Sequence, residues 1–333
     1  MVENEVKELE KVYRKNFFHQ PIPEISDILK DGIINTYIKI TLGKVLEELG
    51  IENRAKIIDE VIELAGNYDA IKDGTLHVWS PVQRETNYEK PAHEILVREG
   101  VTQIIPEKLA NRAHLMFSQI QDYLLPGSVL DMGCGDGKLG AVVASEGYKV
   151  TLADVYEHGN IKLLESQVEG LDFILFGQKE SLPLINREYD NALLLTVNHH
   201  SINPMHTTLD TMRLVKKGGR ILVIESVYGI EKEQKEDIDY GTKSRKMGSN
   251  FKALDHRRQM LANVFFDHFY NRVIHYSDDP NKKVPVPFNF CTTPGWKMFF
   301  NSLGLEQEKV VYLGNDQLTV PEYHTLHVLN KIA

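Results

Sequence analysis

Basic residues, sulfur and long apolar runs are all scarce in this chain. Lysine and arginine number 38 against 47 aspartates and glutamates, leaving a net charge of −9. A protein that follows nucleic acid needs a basic stripe, so no nucleic-acid partner is expected. The short basic clusters, Lys243–Lys246 and His256–Arg258, read as solvated helix faces. Only two cysteines occur, Cys134 and Cys291, which excludes a disulfide framework and points to a reducing compartment. No apolar run reaches membrane-spanning length. The opening MVENEVKELEKVYRKN is charged and does not read as a signal peptide. A cytoplasmic location without membrane attachment is the expectation. Internal repeats and low-complexity segments are also missing. What remains is a chain of 333 residues, long enough to bury a sizeable core.

The most informative stretch is Ser128–Leu139, SVLDMGCGDGKL. Val129 and Leu130 end a short apolar strand, Asp131 follows, and a helical run opens near Lys138. Between them lie Gly133, Gly135 and Gly137. A strand, a glycine turn and a helix N-terminus form a ligand cradle, because glycine lets backbone approach a ligand without a Cβ in the way. Two ligands compete for it. Gly135, Gly137 and Gly140 spell G-x-G-x-x-G, which suits a nicotinamide dinucleotide and an oxidoreductase. A pyrophosphate, however, wants a bare helix N-terminus without an anion beside it. Asp131 instead favours a ligand that carries positive charge. The fuller pattern, D-x-G-x-G-x-G from Asp131 to Gly137, resembles motif I of class I S-adenosylmethionine (SAM) methyltransferases. SAM carries an ammonium and a sulfonium. A binding-only SAM protein is the non-enzymatic alternative.

The rest of the chain orders itself around that stretch. Residues 1–104 read as a helical cap or dimerisation region, with helices over Val2–Lys15, Ile34–Leu49 and Asn53–Ala65. His77–Val82 reads as strand or turn. An amphipathic helix over Pro106–Leu125 leads into the first strand. From Ser128 strands alternate with helices, the pattern of a parallel sheet with crossovers. The strands fall at Ser128–Asp131, Lys149–Asp154, Phe173–Phe176, Asn191–Thr196 and Arg220–Glu225. A turn over Lys216–Gly219 feeds the last of these. Asn203 caps a helix that begins at Pro204. Residues 226–290 form a helical insertion, helical over Gln259–Ile274. Thr293–Leu303 is the last crossover helix. Glu308–Leu313 and Tyr323–Leu329 close the chain as an antiparallel hairpin. Residues 105–333 thus resemble the class I methyltransferase order, a Rossmann-like α/β sheet of seven strands with the last one antiparallel. The insertion would be a lid.

Ligands of such sheets sit at the carboxyl ends of the strands. There the resemblance places Asp154 on the ribose hydroxyls of SAM, Gln178 near the adenine, and Asn198 with the cofactor. The adjoining stretch VNHHSINPMH holds His199, His200 and His206 at the same edge. The spacing of His200 and His206 across a loop-to-helix corner allows convergence on one metal ion. The closing hairpin brings Gln317, Glu322 and His324 to that edge as well. Imidazole with carboxylate or amide oxygen suits Fe, Mn or Zn. His200, His206 and Gln317 are therefore the candidate ligands, and His199, His200 and His324 the candidate catalytic groups. Asp267, His268 and His275 lie on the insertion among aromatic residues, where core or pocket wall is the expected role. The histidine corner, FFDHFYNRVIH, PVPFNFCTTPGW and LGNDQLTVPEYHTLHVL together resemble the metal-dependent C-methyltransferase domains of polyketide synthase loading modules. That resemblance implies methylation of a malonyl group on an acyl carrier protein. His206 stands where that family has glutamine. A small or carrier-bound metabolite is the expected substrate, a homodimer is compatible with the amphipathic cap, and O- or N-methylation by a histidine base is the alternative chemistry.

Overall fold

The computed structural model describes residues 17, 24–66, 69–72, 75–78, 81–108, 111–176 and 187–332. The expected helix at Val2–Lys15 and Gln178 lie outside the described residues.

Apolar residues at helical spacing form α1 (Ile25–Lys30), α2 (Gly32–Glu48) and α3 (Arg54–Gly66). Asp31 starts α2 by accepting hydrogen bonds from the amides of Ile33 and Ile34. A small antiparallel hairpin follows, β1 (Asp69–Lys72) and β2 (Thr75–Val78). The chain continues through α4 (Pro81–Arg84), a π-helical turn at Glu85–Glu89, α5 (Lys90–Arg98), α6 (Val101–Lys108) and α7 (Arg112–Ile120). The helix expected over Pro106–Leu125 overlaps the end of α6 and α7, and α6 begins upstream of Pro106.

The sheet is built from β3 (Ser128–Met132), β4 (Lys149–Asp154), β5 (Leu171–Leu175), β6 (Tyr189–Leu195), β7 (Val215–Tyr228), β8 (Cys291–Thr292), β9 (Leu305–Gly314) and β10 (His324–Lys331). Their order is β5-β4-β3-β6-β7-β10-β9, with the short β8 beside the end of β7. Strands β3 to β7 pair in parallel, while β10 runs antiparallel between β7 and β9. This is the Rossmann-like methyltransferase sheet expected from the sequence. Lys216–Gly219 is not a turn before β7. It bulges within that strand, so that Tyr189 faces Val215 while Asn191 already faces Arg220.

Crossovers α8 (Lys138–Ser145), α9 (Ile161–Gln167), α10 (Pro204–Leu214) and α13 (Thr293–Ser302) complete the fold. The insertion contributes α11 (Thr242–Lys252) and α12 (His256–His268), which runs on as a π-helical turn to Ile274. The central strands are buried on both faces, which is why they read as apolar runs rather than alternating ones. On β7, Ile221 and Val223 face one core, while Leu222 and Ile224 face the other. The first core also holds the apolar residues of α1–α3, α5 and α12, so cap, insertion and sheet share one interior. Buried polar links fasten cap to insertion. Glu89 meets His268 Nε2 at 3.1 Å and Arg272 Nη2 at 2.8 Å, and the Tyr88 ring stacks on His268.

Candidate active site at the carboxyl edge of the sheet

Three glycines shape the cradle. Gly133, Gly135 and Gly137 have φ of +73°, +55° and +74°, the left-handed region that side chains disfavour. A Cβ on Gly133 would also lie 2.7 Å from a Val197 methyl. Gly140 serves a different purpose. Its Cβ would fall 2.2 Å from Leu152 Cδ2, so this glycine lets α8 pack against β4.

The cradle is anionic. Asp154 Oδ2 accepts the Gly135 amide at 2.8 Å and Oδ1 the Tyr156 amide at 3.2 Å. Asp131 is 3% exposed, and its Oδ2 has no partner. Burial, then the charges of Asp154 and Asp136, push the Asp131 carboxyl up to about 7. Burial also raises Asp154, partly offset by the Gly135 and Tyr156 amides. A buried acceptor without a donor, among like charges, calls for a cation. The ammonium and sulfonium of SAM meet that demand, whereas a pyrophosphate would worsen it.

Beyond Val197 the chain enters the histidine corner, which a single carboxylate holds down. Glu225, fully buried on β7, accepts the amide of Asn198 at 2.7 Å and that of His199 at 3.3 Å. It also lies 2.6 Å from His199 Nδ1. A carboxylate only accepts, so Nδ1 carries the proton and Nε2 remains for another partner. His200 packs against His199, with ring centroids 3.9 Å apart. From α12 comes Asp267, 1% exposed, with Oδ1 3.5 Å from His200 Nδ1. His200 Nδ1 and Asp267 Oδ2 are buried without hydrogen-bond partners. One ligand atom from each of His199, His200 and Asp267 lies within 4.8 Å of the others.

The same edge holds an ion-pair chain. His324 Nδ1 is 2.9 Å from Asp316 Oδ1, and Nε2 is 3.5 Å from Glu322 Oε2. Glu322 accepts from the Ser226 hydroxyl, and Asp316 Oδ2 accepts from Gln119 at 2.8 Å. Burial opposes charge on His324, but Asp316 and Glu322 outweigh it and push the imidazole up to about 9. At neutral pH His324 therefore presents a donor to the cluster. Burial works against ionised Glu322 too, yet His324, with His199 and Ser226, holds it down at about 2. His199 is raised despite burial, because Glu225, Asp267 and Glu322 surround it with negative charge. Burial and the charge of His199 hold His200 well below the usual range. Burial, then the neighbouring Glu322 charge, raises Asp267 against the pull of His199.

Several sequence expectations need correction. His206 does not converge with His200. It sits on α10, 40% exposed, with Nε2 3.8 Å from Asp210, because the Asn203 cap turns that helix outward after Pro204. Gln317 forms a one-residue bridge with Val320 and lines the groove beside Asp316. The third converging group is Asp267, which the sequence suggested only as pocket wall. His268 meets Glu89 as a cap contact. Asn198 is fully buried beneath the corner, where its Oδ1 accepts from Thr208 at 3.3 Å. Sequence reasoning also missed Glu225. Its signal was an acid ending an apolar strand at the active edge.

Residues 130–223 match the family model described as a methyltransferase domain. That segment carries the glycine cradle with His199 and His200, and together with the sheet order it marks a Rossmann-like methyltransferase domain within the chain. No curated protein matches the chain. Solved structures of similar fold include a SAM-dependent methyltransferase from Methanosarcina mazei, 16% identical, covering 64% of this chain and 97% of that one, with a TM-score of 0.42. Another is the Burkholderia thailandensis 1,6-didemethyltoxoflavin-N1-methyltransferase with bound 1,6-didemethyltoxoflavin and S-adenosylhomocysteine, 15% identical, covering 78% and 95%, with a TM-score of 0.43. A third is a SAM-dependent methyltransferase from Aquifex aeolicus, 14% identical, covering 68% and 93%, with a TM-score of 0.42.

Proposed function

We propose that this methyltransferase acts on a small or carrier-bound metabolite bearing a chelating carbonyl acid, such as a malonyl group. A divalent transition metal would be held by His199, His200 and Asp267. The observation that carries the reading is the convergence of two imidazoles and a carboxylate in a buried corner, with His200 Nδ1 and Asp267 Oδ2 left unpaired. Two histidines and one carboxylate suit Fe, Mn or Zn. The field that favours a proton on His199 favours a metal cation equally. Glu225 fits as the partner that orients His199 and leaves Nε2 available. When bound, such an ion polarises a carbonyl and makes the adjacent C–H more acidic.

The protein groups do the remaining work. Asp131 and Asp154 hold the positively charged methyl donor. Because SAM is already activated, the protein needs only to align the acceptor and take its proton. His324, protonated between two carboxylates, balances the negative charge beneath the corner. A metal-independent O- or N-methyltransferase is the second reading, favoured by the neutral state of His200, which leaves it able to accept a proton.

Elemental analysis of protein purified without a histidine tag tests the proposal, alongside Asp267→Asn and His200→Ala. About one equivalent of Fe, Mn or Zn in the parent protein, lost in both variants, is the expected result. Full methyl transfer by metal-free protein in chelator would sink the metal reading and leave His200 as base.

A further inference from the structure

Arg112 stands where the cradle, the histidine corner and an open groove meet. It begins α7, and its Nη2 donates to the Thr196 hydroxyl at 3.4 Å. Thr196 follows β6 directly and adopts φ +61°, a left-handed conformation that a β-branched residue adopts only at a cost. The next residue, Val197, is the one that a Cβ on Gly133 would meet. Arg112 Nε is buried and has no partner. The groove it lines has a volume of about 370 Å³, room for a small metabolite, and also includes Tyr240, Asp316 and Thr319. The acids of that groove are already engaged, Asp316 by His324 and Glu48 by Lys243. Arg112 is the cationic side chain of the lining without an ion pair among the described residues.

We propose that Arg112 reads a carboxylate of the methyl acceptor through its guanidinium, and that strained Thr196 fixes it for that task. The substrate class is then an anionic carbonyl acid. This rests on the methyltransferase reading above and deepens it. A planar fork with an unused Nε–H matches a carboxylate. Phosphate also pairs with a guanidinium fork, so it serves as the competing anion.

Titration calorimetry of malonate into the protein saturated with S-adenosylhomocysteine provides the test, with malonamide as the neutral counterpart. Arg112→Met should weaken malonate at least tenfold, Arg112→Lys less so, and both should leave malonamide unchanged. S-Adenosylhomocysteine affinity and metal content should stay at parental values in both variants. Unchanged malonate affinity in Arg112→Met or Arg112→Lys, or malonamide binding as tightly as malonate, overturns the assignment. So does inorganic phosphate displacing malonate at equal concentration. Parental protein that binds malonate but no metal removes the metal reading and leaves Arg112 standing. Failure of the parental protein to bind S-adenosylhomocysteine removes both.

Discussion

The glycine cradle and the histidine corner share one edge of the sheet but are built differently. The cradle comes from one strand–turn–helix unit and the strand beside it, between Asp131 and Asp154. Its chemistry is local, with positive-φ glycines and two acids in a fixed order. The corner draws His199 and His200 from a loop, Glu225 from a neighbouring strand, Asp267 from the insertion, and Glu322 and His324 from the closing hairpin. No sequence spacing joins those groups. Both regions hold buried polar atoms without partners, Asp131 Oδ2 in one and His200 Nδ1 with Asp267 Oδ2 in the other. Both therefore favour positive charge, the cradle as a cationic ligand and the corner as a metal ion. Ligand sites sacrifice local satisfaction, and the position of each orphaned atom marks what is to be bound.

Breaking one region while sparing the other separates them. The largest effect is expected from Asp131→Asn, which should lower SAM affinity at least about 100-fold, since a buried charge partner is lost. Metal content should not change. The same substitution should stabilise the ligand-free protein. A carboxyl held near 7 rather than at the ordinary 3.8 costs the fold up to about 4 kcal/mol above pH 7. The folded state binds the proton more tightly, so this penalty grows as pH rises from about 4 to 7. A higher melting temperature at pH 8 with lost SAM binding is the expected pair of results, readable by calorimetry.

Next comes Glu225→Gln, which should cut metal affinity about 10- to 100-fold by loosening His199. Competition with a chromophoric chelator measures it, and SAM affinity serves as the unaffected control. A smaller effect is expected from pH. Below about 7 SAM affinity should fall toward tenfold per unit as Asp131 protonates. That slope should vanish in Asp131→Asn. The smallest effect belongs to His206→Ala, within about 0.5 kcal/mol in stability and without loss of metal, as for an exposed side chain away from both regions. Metal lost in His206→Ala would restore the spacing-based pairing of His200 with His206.

Legibility in the sequence followed the range of the interactions. The sheet strands were readable because each is a short apolar run bounded by turn residues. Lys149–Asp154 was placed at its observed bounds, and the antiparallel hairpin was foreseen from the close spacing of its strands. The helix over Pro106–Leu125 was placed too far along the chain, because α6 already begins at Val101 and α7 ends at Ile120. The pairing of His200 with His206 failed for a different reason. Sequence separation alone does not reveal that the Asn203 cap points the following helical turn outward. Asp267 was visible as a residue on an aromatic helix. Which of its neighbours faced the core and which the pocket depended on how α12 docks against β7.

By itself the sequence determined the class of fold, the cradle and its preference for a cationic ligand, since these depend on residues adjacent in the chain and on backbone freedom at three glycines. Tertiary structure alone decided which acids and imidazoles of the distant segments meet, that His324 is charged and His200 neutral, and that Arg112 reaches the shared edge. Those properties arise from burial and from charges a few ångströms apart in space, and both come into being only when the segments pack together.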